Sequence, residues 1–96
     1  MPTRDFLASF WRDWASLTPS QQRDFHIAVQ KFVADLRRGR FRAGLRVKRV
    51  QGTRGIFELT WAKNGRATCQ YGDEVLPGEA HVIWRRIGAH DIFDQP

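Results

Sequence analysis

The residues best suited to chemistry lie in the last third of the chain. Arg66 follows a hairpin turn, and the run Val82-Ile83-Trp84-Arg85-Arg86-Ile87-Gly88-Ala89-His90-Asp91-Ile92-Phe93 carries two more arginines before it delivers a histidine. Imidazole titrates near neutrality and guanidinium stabilises developing negative charge, so this combination suits proton transfer beside a phosphate. The run has the length and composition of a buried strand, and Gly88 lets the chain turn, which puts His90 on a loop next to basic strand residues. Taken alone, a histidine after a strand is more often a capping or packing residue.

Charge points the same way. The formal net charge is +6 with a sequence pI near 10.7, and the excess is concentrated. Arg37, Arg38, Arg40, Arg42, Arg46, Lys48, Arg49 and Arg54 are eight of the sixteen basic residues, and no acid lies among them. Seven of the eight are Arg, whose planar fork pairs two-pronged with phosphate and stacks on bases, so nucleic acid is favoured over solubilising charge. A solvated basic loop, or a surface for an acidic protein, is the competing reading.

Other chemistries are poorly served. Three scattered histidines and one cysteine lack metal-ligand spacing, and the acids do not cluster, so neither a metal nor a cofactor is expected. No Gly-rich phosphate loop or serine-nucleophile motif is present. One cysteine, no leader and no long apolar run argue for a soluble cytoplasmic protein with no membrane segment. Residues 1–96 are expected to form a single domain, with enough aromatic residues for a core that needs no disulfide.

These residues must be positioned by a small α+β scaffold. Phe6, Leu7, Phe10, Trp11, Trp14 and Leu17 keep helical spacing and predict a helix over residues 5–17, with a short extended piece allowed before it. Thr18-Pro19-Ser20-Gln21 reads as a capping box that starts a second helix. Phe25, Ala28, Val29, Phe32, Val33 and Leu36 form its stripe, Gly39 ends it, and His26 falls beside the stripe as a structural or exposed residue. After Gly44 the period changes to two. Leu45, Val47 and Val50 predict a first strand ending at Gly52, with a basic opposite face.

Phe57, Leu59 and Trp61 then alternate with Glu58 and Thr60, and Ala67, Cys69 and Tyr71 with Arg66, Thr68 and Gln70. A three-residue Lys63-Asn64-Gly65 loop pairs Trp61 with Ala67 and predicts a left-handed Gly65. Residues 72–80 read as a loop and residues 81–87 as the last strand. The helical hairpin should pack on one face of a twisted antiparallel sheet, leaving Glu58, Thr60, Arg66, Thr68 and Gln70 open to a ligand. Strict alternation lets only one of Arg85 and Arg86 share that face.

Helix, helix, then strands, with Leu45-Arg46-Val47-Lys48 to Gly52, Gly55-Ile56-Phe57-Glu58-Leu59, the post-turn Arg66 and Arg86-Ile87-Gly88-Ala89-His90-Asp91-Ile92-Phe93, resembles the RelE/ParE superfamily of toxins from bacterial type II toxin–antitoxin systems. The resemblance covers nearly the whole chain. It implies a RelE-like fold whose concave face binds RNA and, in one branch, cuts mRNA in the ribosomal A site. It also implies that Arg66 contacts the scissile phosphate and that His90 and Phe93 are the C-terminal functional pair. Phe93 stands where many members carry tyrosine; it has no proton to donate but can stack on a base. Glu58 occupies a position acidic in one branch and basic in another. A clear N-terminal strand, common in the family, is missing unless residues 2–5 supply it.

On this reading Arg66 binds phosphate, His90 does acid/base work, Arg85 or Arg86 stabilises charge, and Lys48 and Arg49 position RNA. One of the two strand arginines pairing with Glu58 or Asp91 is the structural alternative. The implied partners are mRNA, the ribosome and a cognate antitoxin, acidic where it meets residues 37–54, in a complex that can assemble further. A gyrase-poisoning toxin of the same fold and a non-catalytic nucleic-acid-binding module are the alternative functions.

Overall fold

The capping box at residue 18 forms as expected and starts the longest element. The Gln21 backbone N–H donates to Thr18 Oγ1 (3.1 Å) and the Thr18 N–H to Gln21 Oε1 (2.8 Å). In the computed structural model, which describes residues 2–96, this helix, α2, runs Pro19–Arg38 and stops at Gly39, whose φ of +78° suits glycine. The first helix, α1, is only Ala8–Trp14, shorter than its periodicity predicts, because Phe6 belongs to a strand, β1 (Thr3–Phe6). The two helices meet through rings, with Phe25 5.7 Å from Phe10 and 5.9 Å from Trp14.

Four further strands, β2 (Lys48–Arg49), β3 (Phe57–Ala62), β4 (Gly65–Gly72) and β5 (His81–Gly88), complete a five-stranded sheet in the order β1-β5-β4-β3-β2. Strand β1 pairs with β5 in parallel, from Thr3 opposite His81 to Phe6 opposite Trp84, and the other pairs are antiparallel. The α+β class with helices on one face holds, but the sheet is mixed. The first strand predicted over residues 45–52 shrinks to β2. Leu45 lies in a 3-10 turn (Ala43–Leu45), and Arg46 at φ +50° interrupts the extended backbone.

On the helix face Trp84 is the centre of the core, edge-on to Phe25 at 5.3 Å and tilted against Phe32 at 5.5 Å. Phe10, Ala28, Leu45, Leu59, Ala67, Cys69, Val82 and Ile87 fill the space around it. Beyond Phe6 the edge of β5 loses its strand partner, and α1 takes over. Ser9 Oγ donates to the Arg85 carbonyl (2.7 Å), and Asp13 Oδ2 accepts from the Ile87 N–H (3.1 Å). Side chains thus satisfy backbone groups that an open edge would leave bare.

The β3–β4 hairpin departs from the expected turn. Leu59, not Trp61, lies opposite Ala67; Ala62 faces Gly65 across a two-residue Lys63-Asn64 turn, and Trp61 is the extra residue of a β-bulge. The register moves by two residues, so the assignment of faces survives. Gly65 is not left-handed. Its role is space: a Cβ there would sit 2.5 Å from Cε2 of the Trp61 indole.

Candidate functional site

A second bulge shapes the C-terminal strand. Thr68 lies opposite Arg86 but Cys69 opposite Trp84, leaving Arg85 as the extra residue. The expected alternation of Arg85 and Arg86 therefore fails, and both turn to the polar face: Arg86 opposite Thr68, Arg85 donating through Nη1 to Gln70 Oε1. Both also grip the chain end. Arg85 Nε donates to the Pro96 carbonyl (3.1 Å) and Arg86 Nη1 to the Gln95 carbonyl (3.0 Å).

The acid that binds Arg86 is neither Glu58 nor Asp91. Asp13 of α1 takes Nε at 2.6 Å and Nη2 at 3.1 Å. The hydrogen-bonded Asp13 carboxylate is the main reason the guanidinium is held above its ordinary pKa, with a smaller Coulombic contribution from Asp91. This pair, 26% and 18% exposed, is an anchor shared by α1, β5 and the tail. Sequence reasoning missed Asp13 because its contact spans 73 residues and has no local signal.

The tail itself covers part of the face expected to be open. A 3-10 turn, His90–Asp94, packs on β4 and β5. Its Ile92 is buried, and a Cβ added at Gly88 would approach Ile92 Cγ2 to 2.9 Å, so glycine is required there for closeness. Thr68 is fully buried. His90 thus begins a turn seated on the sheet, not a free loop.

Between this turn and the β2–β3 edge lies a cleft of about 470 Å³ lined by Lys48, Arg49, Val50, Gln51, Glu58, His90 and Phe93. It unites five candidates from distant parts of the sequence. Lys48 faces Glu58 and Arg49 faces Phe57 across the strand pair. His90, exposed, stands edge-on to the half-buried Phe93 with ring centroids 4.9 Å apart. An imidazole, a flat ring, two cations and a carboxylate around one opening can hold a stacked base, neutralise a phosphate and move a proton.

The arginines lie outside that cleft. Arg66 sits on β4 opposite Thr60 on one side and Gly88 on the other. Its Nη1 donates to the carbonyls of Gly65 (2.9 Å), Ala62 (3.3 Å) and Lys63 (3.3 Å). It lines a neighbouring cleft at the far end of β3. Arg85 and Arg86 line neither.

The basic segment is also less free than its sequence suggests. Asp35, buried in α2, accepts from the Arg42 backbone N–H, Arg42 Nε and Arg42 Nη2, each at 2.8 Å, and from Arg38 Nη2 at 2.9 Å. Hydrogen bonds from Arg42 hold this carboxyl well below the usual carboxylate range. The signal was present: residue 35 continues the spacing of Ala28 and Phe32, so an acid there must be buried and paired. Among the described residues no group of three His, Cys, Asp or Glu side chains is arranged to hold a metal ion.

No protein-family profile matches the chain, and no curated protein matches it. Solved structures do. The chain superimposes on the RelB–RelE antitoxin–toxin complex of Methanococcus jannaschii with a TM-score of 0.63 at 15% identity, covering 96% of this chain and 99% of that one. Against the E. coli DinJ–YafQ toxin–antitoxin complex the TM-score is 0.65 at 11% identity, over 94% and 93% of the two chains. A copper-bound mutant toxin from Helicobacter pylori gives 0.64 at 14% identity, over 95% and 97%. The fold is that of the RelE- and YafQ-type toxins.

Proposed function

We infer, from a chain folded as the RelE and YafQ toxins are, that it is the toxin of a type II toxin–antitoxin pair and a metal-independent endoribonuclease acting on mRNA in the ribosomal A site. The observation that carries this reading is the cleft that gathers Lys48, Arg49, Glu58, His90 and Phe93. RNA supplies its own nucleophile, the 2′-hydroxyl, so the protein needs to hold the strand in line, move two protons and stabilise charge on phosphorus.

Phe93 stacks a base while Lys48 and Arg49 fix the backbone. His90 exchanges protons with the 2′-hydroxyl or the leaving oxygen. Glu58, opposite Lys48 in the strand register, adds the one carboxylate of the cleft. Arg66 contacts the phosphate from the next strand: Nη1 is bound to the turn, and no hydrogen bond from Nε or Nη2 occurs among the described residues. Arg85 and Arg86 act indirectly, fixing the turn that carries His90 and Phe93. The antitoxin supplies an acidic segment to the basic surface, and the site of action is the cytoplasm.

Expression of the chain from a tight promoter, beside Arg66→Ala and His90→Ala, tests this reading. Translation should arrest with cut mRNA, and either substitution should relieve it. Arrest with DNA damage that survives His90→Ala would replace it with gyrase poisoning; RNA binding without arrest would leave a binding module.

A further inference from the structure

The cleft that Arg66 lines is larger than the one around His90, about 510 Å³ against 470 Å³. It opens between α2, the Ala43–Leu45 turn and the end of β3. Strand β2 pairs with Phe57 and Glu58 alone, so the β3 edge beyond them carries no further strand. The floor is apolar, with Ala28, Leu45 and Trp61, and the rim carries Lys31, Arg42, Arg46, Lys63 and Arg66 against one carboxylate, Asp24.

That rim is built, not incidental. Arg42 is pinned by the buried Asp35 while its own side chain stays 42% exposed. Arg46 is held at φ +50°, a conformation that residues other than glycine seldom adopt. Lys31, Arg46 and Lys63 form no ion pair among the described residues. Three separate segments, residues 24–31, 42–46 and 60–66, therefore converge five cations on one opening.

The two clefts also share a strand. Glu58 lines one and Thr60 the other, two residues or roughly 7 Å apart along β3. Arg66 lies directly across from Thr60. We propose that the second cleft binds the phosphate backbone of single-stranded RNA flanking the cut, so that recognition runs along β3 from the His90 cleft past Arg66 to Lys31, Arg46 and Lys63. The identity of the strand rests on the RNA-cleaving reading. Continuity with the His90 cleft favours RNA over an acidic peptide.

The test is binding of the full chain to a long and a short single-stranded 2′-O-methyl oligoribonucleotide, which cannot be cut, as a function of salt. Replacing Lys31, Arg46 and Lys63 together by Gln should weaken the long oligonucleotide by about tenfold or more and flatten the log–log salt dependence by about 2. The short one and the melting temperature should not change. Lys31→Gln alone, on an exposed helix position, should move the long oligonucleotide in the same direction. If the triple variant binds both like the wild type, the flanking site is wrong. If it instead loses only poly-glutamate binding, the cleft serves an acidic protein segment and the proposal falls. A wild-type chain that binds neither oligonucleotide would overturn the flanking site alone, because the RNA-cleaving reading is judged separately by mRNA cleavage in the expressing cells.

Discussion

The two faces of the sheet are held by different forces. On the helix face, Phe10, Phe25, Phe32 and Trp84 pack ring against ring, and stability comes from apolar area removed from water. On the outer face Ile92 plugs the surface beneath the tail, and the arrangement depends on directed bonds: Arg85 to Pro96, Arg86 to Gln95 and Asp13. The hydrophobic contribution is non-directional and scales with apolar area and volume filled, whereas hydrogen bonds and ion pairs depend on angle and distance. Stability and candidate chemistry therefore sit on opposite sides of one sheet, and substitutions should separate them.

The largest separation should come from Trp84→Ala, which hollows the helix face and should cost about 3–5 kcal/mol, a large share of a small domain's roughly 5–15 kcal/mol. Urea unfolding measures it, and a loss below about 1 kcal/mol would mean that the face relaxes freely. His90→Ala should do the reverse. RNA cleavage should fall by about 10²-fold or more with an unchanged melting curve; a parallel fall in melting temperature would make His90 a structural residue.

Asp13→Asn probes the join between the faces. Weakening the Arg86 fork should cost about 1–3 kcal/mol and loosen the tail, seen as a change in the ring-current shift between His90 and Phe93. Asp13→Glu should restore part of both. If stability drops while those ring resonances stay put, Asp13 serves only the edge of β5.

The smallest effect concerns Cys69. Burial pushes its thiol up to about 12, above the unfolded value of roughly 8.5. The folded state therefore keeps a proton that the unfolded chain releases as pH rises through that value, and stability should decline from there upward. Cys69→Ala should flatten that alkaline limb, and in the native chain thiol reagents should modify Cys69 only on unfolding.

The same division governs what could be read from the sequence. Elements declared by local chemistry were legible: the Thr18 cap, the stop at Gly39, and the alternation that set Phe57, Leu59, Ala67 and Cys69 on one face. The bulges at Trp61 and Arg85 were not, because each is decided by a partner across the sheet. Gly65 was read as a conformational glycine when the Trp61 ring is what excludes a side chain there. The candidates Lys48, Arg49, Glu58, His90 and Phe93 do meet in one cleft, while Arg85 and Arg86 are taken up by Asp13, Gln70 and the tail. Composition flagged those arginines as chemical; only the fold reveals what they hold.

Strand β1 has a consequence for how the chain matures. Its neighbour in the sheet is β5, and Thr3 meets His81 across a sequence separation of 78, a closure worth roughly 4 kcal/mol in chain entropy. During vectorial synthesis β1 leaves the ribosome well before β5 and must wait for it. Until β5 emerges, β1 has no ladder, α1 has no edge to cover, and Asp13 has no arginine to grip. The groups proposed to cut messenger RNA are thus ordered only once β5 has emerged and closed the sheet on β1.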